Sequence, residues 1–161
     1  MTTEEYNLAV DKYADGIFRF ILKNLKQEER SRDVVQDTFE KFWVKKDTVD
    51  PSKVKTYLFT TAYHTMIDTI RKDKRIDHLD HVQENNYSHN NQYSDLKEVI
   101  DRALDKLPEM QKTIILLRDY EGYSYKEIGE IMDISESNVK IQIFRGRMIL
   151  KDYLKSIETL I

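Results

Sequence analysis

The sequence predicts an all-α protein built as two small helical domains joined by a flexible linker, and three observations lead there. Glycine and proline are scarce, four and two in 161 residues, so little interrupts a helix. Apolar residues on both sides of the middle recur at helical spacing. Between them, residues 76–95 (IDHLDHVQENNYSHNNQYSD) carry Asn, Asp, His and Ser, no Lys or Arg, and no sustained apolar period. The expected domains are therefore 1–75 and 96–161, with an acidic linker at 76–95. Such a linker reaches roughly 70 Å when fully extended and averages about 25 Å when flexible.

In the first domain, a helix from about Asp33 to Val44 puts Val35, Phe39 and Phe42 at core spacing. Its other side carries Asp33, Gln36, Asp37 and Glu40, a stripe that is either a solvated face or a docking surface. The next helix runs from Val54 to Arg75, packing through Leu58, Ala62, Thr65 and Thr69. Tyr57, Phe59 and Tyr63 are spread around it, and Arg71, Lys72, Lys74 and Arg75 follow around a single Asp73. Rings beside cations suit single-stranded nucleic acid, because bases stack on the rings while cations track phosphates; on a buried helix the same rings form core.

In the second domain, Ser124 to Leu150 reads as two helices joined by a tight turn. Ser124 and Glu127 have the spacing of a capping box, and Ile128, Ile131 and Met132 then mark one apolar face. Ser135 caps the second helix, with Glu136 near the positive end of its dipole. At 3.6 residues per turn, Val139, Ile143, Gly146 and Leu150 fall on a buried stripe. Asn138, Ile141 and Arg145 project oppositely, flanked by Lys140 and Gln142, as a helix lying in a DNA major groove would present them. An ordinary helical hairpin with a solvated polar face would share the pattern.

Composition narrows the classes. With no cysteine there is no disulfide framework, thiol nucleophile or cysteine-ligated zinc site. The absence of a long apolar run or signal-peptide pattern predicts a cytoplasmic protein without membrane insertion. A net charge of −3 argues against holding duplex DNA by bulk electrostatics. The basic residues instead form two local patches, Arg71–Arg75 and Lys140, Arg145, Arg147, Lys151 and Lys155, which implies two limited DNA contacts and a further partner. His78, His81 and His89 in the linker lack carboxylate or thiol partners at ligand spacing, so no metal and no cofactor is expected. No phosphate loop, carboxylate cluster or nucleophile with an adjacent base is present, so the chain does not read as an enzyme.

Three blocks resemble bacterial sigma-70 family factors. DVVQDTFEKFW (33–43) resembles their core-polymerase-binding helix, KTYLFTTAYHTMIDTIRK (55–72) their promoter-melting and proximal-element helix, and LDKLPEMQKTIILLRDYEGYSYKEIGEIMDISESNVKIQIFRGR (104–147) their C-terminal helix-turn-helix domain. Their order, and the direct linker, are similar to the extracytoplasmic-function (ECF) group. The resemblance implies sigma region 2 followed by region 4, a factor that directs promoter-specific initiation. It implies docking on the clamp of core RNA polymerase through Asp33, Gln36, Asp37 and Glu40, with the C-terminal domain on the flap. It assigns the proximal element to Tyr57, Phe59, Tyr63, His64, Asp68, Arg71 and Lys72, and the upstream element to Ser137, Asn138, Lys140, Ile141, Gln142, Arg145 and Arg147. It also implies an anti-sigma protein that covers these surfaces and a linker that threads through polymerase as a nucleic-acid mimic. Tyr57, His64, Ile141 and Gln142 differ from the common pattern of Trp, Asn, Ser and Arg, and so bear on which promoter is read. Ile141 suits thymine methyl groups, and Gln142 suits adenine where Arg would favour guanine. A stand-alone helix-turn-helix regulator is the alternative; it accounts only for residues 124–150.

Overall fold

A computed structural model describes residues 1–80 and 95–158, with the side chains of 77–80 and 158 excepted. The described residues form seven α-helices: α1 (Thr3–Leu25), α2 (Glu28–Lys45), α3 (Val54–Asp80), α4 (Asp95–Asp105), α5 (Glu109–Ile115), α6 (Tyr125–Met132) and α7 (Glu136–Glu158). A 3-10 turn at Pro51–Lys53 leads into α3, and a π-helical turn at Leu116–Tyr120 follows α5. Helices α1–α3 make one compact unit and α4–α7 a second.

The first unit is a three-helix bundle. A capping box starts α1: Glu5 N–H donates to Thr2 Oγ1 at 3.1 Å, and Thr2 N–H donates to Glu5 Oε2 at 3.1 Å. Helix α2 begins five residues before the expected Asp33, at Glu28, because Gln27 caps it without any side-chain bond and so leaves no cue in sequence. Ile17, Phe20 and Ile21 meet Val34, Phe39 and Phe42, and Leu58, Phe59, Ala62 and Met66 close the core. The inward residue of α2 is Val34, with Val35 half-buried, a small rotation from the expected face. Ser31 and Thr38 make it feasible. Each is buried and donates its hydroxyl to the carbonyl four residues back, Ser31 to Gln27 and Thr38 to Val34, both at 2.7 Å.

Helix α3 continues to Asp80, past the expected end at Arg75, since residues 76–80 contain no glycine or proline and polar composition alone does not stop a helix. Helix α4 starts at Asp95, the last residue of the expected linker, with Asp95 and Glu98 near the positive end of its dipole. Residues 81–94 of that segment, including His81 and His89, and the His78 side chain lie outside the described residues.

The second unit packs α5, α6 and α7 around Ile114, Ile115, Leu117, Ile128, Ile131, Val139 and Ile143. After the π-helical turn, Gly122 takes φ 74°, and Arg118 donates to the Tyr123 carbonyl at 2.9 Å. Two glycines set how closely helices approach. A Cβ on Gly129 would sit 2.8 Å from the Ile134 backbone oxygen, so only glycine admits the tight turn between α6 and α7. A Cβ on Gly146 would meet Ile115 Cδ1 at 2.6 Å, the movable tip of a side chain. Gly129→Ala is therefore expected to destabilise the second unit by about 1–3 kcal/mol despite alanine's better helix propensity. Gly146→Ala should cost clearly less. Thermal unfolding of the two variants checks the order.

Candidate nucleic-acid interface

The helix-turn-helix is built as its sequence indicates. Glu127 N–H donates to Ser124 Oγ and Ser124 N–H to Glu127 Oε1, both at 3.1 Å, starting α6. Asp133 adopts φ 56° and closes α6, with Ile134 N–H bonded to Gly129 O at 3.0 Å. Asn138 N–H donates to Ser135 Oγ at 3.0 Å, fixing the start of α7. Val139, Ile143 and Gly146 are buried and Leu150 half-buried, so the inward stripe of α7 faces α5 and α6.

The opposite side exposes Ser137, Ile141 and Arg145, with Lys140 exposed on one flank. Phe144 belongs to this face and was absent from the expected set, yet it is 67% exposed and lies between Ile141 and Met148. Its signal in the sequence is local: a phenylalanine three residues after Ile141 falls off the buried stripe of α7. Arg147 is exposed on the flank and paired with Asp119 at 2.9 Å, so a phosphate would compete with that carboxylate. Gln142 and Asn138 are half-buried, and their amides bond to each other. Arg118 lies over the Tyr125 ring at 4.5 Å and Lys140 approaches the same ring at 5.8 Å, concentrating positive charge beside the start of α6.

On α3, His64, Asp68, Arg71 and Lys72 are exposed, and His64, Asp68 and Arg71 share one face at i, i+4 and i+7. Tyr57 and Tyr63 are half-buried; Tyr57 tilts against Phe42 at 5.8 Å and Tyr63 against His64 at 5.6 Å. Phe59 differs from the expectation. It is 2% exposed and packs on Phe20 at 5.8 Å, so its ring belongs to the bundle core and cannot receive a base without unpacking it. Arg30 on α2 pairs with Asp73, neutralising the acidic residue inside the Arg71–Arg75 cluster and leaving the end of α3 net positive. On α2, Asp33, Gln36, Asp37 and Glu40 are all exposed, with Gln36 donating to Glu40 at 3.3 Å.

The family model described as Sigma-70 region 2 matches residues 9–76, and that described as Sigma-70, region 4 matches residues 97–150. The ECF RNA polymerase sigma factor SigM of Bacillus subtilis is 31% identical over 144 residues, covering 86% of this chain and 88% of SigM. The chain belongs to the ECF group of sigma-70 family sigma factors. SigW of the same organism, also an ECF RNA polymerase sigma factor, is 30% identical over 92% of this chain and 88% of its own length. Among solved structures, the sigma factor RpoE in complex with the anti-sigma factor NepR from Bartonella quintana superposes with a TM-score of 0.82 at 25% identity, over 95% of this chain and 98% of that one. The acidic stripe and the aromatic and basic face of α3 thus fall within the region 2 match of this sigma factor, and α6 with residues 136–150 of α7 within the region 4 match. A stand-alone helix-turn-helix regulator is not favoured, since it leaves the match at 9–76 without a purpose. Among the described residues, no group of three or more His, Asp and Glu could hold a metal ion, and no helix is long and apolar enough to cross a membrane.

Proposed function

We propose that this sigma factor acts in the cytoplasm without chemistry of its own, joining core RNA polymerase to promoters through three separate surfaces. The observation that carries the reading is the segregation of charge: an exposed acidic stripe on α2, and exposed basic residues at the end of α3 and along α7. The stripe of Asp33, Gln36, Asp37 and Glu40 complements a basic surface, for which the polymerase clamp is the counterpart, and the C-terminal domain meets the flap. Helix α7 enters the major groove of the upstream element, with Ile141, Phe144 and Arg145 foremost and Ser137, Asn138 and Lys140 beside them. At the proximal element, Tyr57 and Tyr63 stack on an exposed strand while His64, Asp68, Arg71 and Lys72 line its path; Phe59 supports the helix from within.

Neither DNA contact need be strong. Polymerase holds the two domains on one promoter, so the second contact forms at high effective concentration after the first. An anti-sigma protein covering these surfaces would block all three functions, and the RpoE–NepR complex supports that mode of control. With a net charge of −3, the isolated protein should bind duplex DNA poorly. Added to core polymerase, it should give initiation at specific promoters in a template library. Tight, sequence-specific duplex binding by the protein alone would overturn the proposal.

A further inference from the structure

We propose that Gln111, a residue of α5, is a positioning residue for promoter reading: acting through Gln142, it fixes the Asn138 amide so that Asn138 meets the DNA as a hydrogen-bond donor. The inference rests on α7 lying in the groove of the upstream element. Gln111 is 9% exposed, on the inner side of α7. It lies against α7 beside Gly146, where a Cβ would stand 3.4 Å from Gln111 Cβ. Gln111 Nε2 donates to Gln142 Oε1 at 3.2 Å, and Gln142 Nε2 donates to Asn138 Oδ1 at 3.1 Å. Three amides thus run in series from the core to the DNA-facing side.

The direction of the series is set at its buried end. Gln111 Oε1 is buried without a hydrogen-bond partner. Turning the Gln111 amide round would satisfy its carbonyl but bury its NH2 group with neither hydrogen donated, where now one hydrogen is donated to Gln142. Orphaned N–H groups are the rarer and costlier defect. With the direction fixed, Asn138 Oδ1 is engaged on the protein side, and its Nδ2, carrying two N–H groups, is left for the groove. A donor there favours guanine O6 and N7, adenine N7 or thymine O4, and disfavours the amino group of cytosine. Both ends of the Gln142 amide are bonded within the protein, so Gln142 transmits orientation instead of pairing with adenine through both atoms. Holding Asn138 in one rotamer before binding also lowers the ordering cost of the contact.

The test is transcription by core polymerase with the full chain, from templates randomised across the upstream element, with the selected sequences read out. Gln111→Met keeps the length of the side chain and removes the donor. It should reduce preference at a single base pair by about tenfold and leave the other positions unchanged. Gln111→Glu offers only acceptors, so Gln142 must turn its Nε2 inward and Asn138 its Oδ1 outward; preference at that base pair should move to a base with an exocyclic amino group. Asn138→Asp changes an outward residue, poses no threat to the core, and should lose the preference for an acceptor at the same base pair. Unchanged preference in Gln111→Met, or an equal loss at every position together with a lowered melting temperature, would show that Gln111 only packs and would overturn the proposal. If the unaltered protein shows no preference anywhere in the upstream element, the placement of α7 fails first and the proposal with it.

Discussion

Asp37→Arg is expected to abolish association with core polymerase while leaving the bundle folded. Asp37 is exposed near the middle of α2, and arginine is a good helix former, so the helix itself loses little. The new charge sits one turn before Lys41, and that like-charge pair costs only about 0.2–0.5 kcal/mol. At an interface with a basic partner the change is of another size: one attraction is removed and one repulsion created, which costs several kcal/mol. Each 1.4 kcal/mol is about a factor of ten in affinity, so binding should vanish at micromolar concentrations. Asp33→Ala combined with Glu40→Ala should weaken binding without adding repulsion. Titration of labelled protein with core polymerase, alongside circular dichroism, distinguishes lost docking from lost structure. Normal binding by both variants would make the stripe an ordinary solvated face.

Phe59→Ala should be the most damaging substitution on α3, and for a reason unrelated to DNA. Phe59 is almost fully buried against Phe20, and truncation of a buried phenylalanine to alanine costs about 3–5 kcal/mol. That is a large share of the 5–15 kcal/mol typical of a whole domain, so the three-helix unit should melt much earlier and lose polymerase binding and promoter opening together. Tyr63→Ala provides the contrast, because Tyr63 is half-buried beside exposed His64. It should impair opening of a closed promoter more than use of a template already open at the proximal element. Should Phe59→Ala instead remain as stable as the parent and fail only at promoter opening, its ring would be a nucleic-acid contact after all.

Phe59 and Tyr63 have the same character in the linear sequence and different environments in the fold. Tyr57, Phe59 and Tyr63 differ little in composition or spacing, and a helix of aromatic and basic residues is compatible with either core or strand binding. Only the packing of α1 against α3 decides that Phe59 faces inward, because Phe20 lies some forty residues earlier and nothing local identifies it as the neighbour. The rotation of α2 has the same origin. Ser31 and Thr38 look polar in sequence, yet their hydroxyls bond within their own helix, and the bundle can bury them.

Local and periodic features can be read from the chain alone. The helical class, the capping box at Ser124 and Glu127, the Ser135 cap and the inward stripe of α7 all follow from residues within a few turns of one another. The family could be recognised in the same way, because its blocks are contiguous segments in a fixed order. Packing of the helices settles what depends on residues far apart in the chain. It buries Phe59, sets Arg147 against Asp119, and ties Gln142 to Gln111 thirty-one positions away. Helical periodicity fixes which side of a helix points inward. Which partner meets each side chain there is settled only when the helices pack, and so is whether an amide is free to meet DNA.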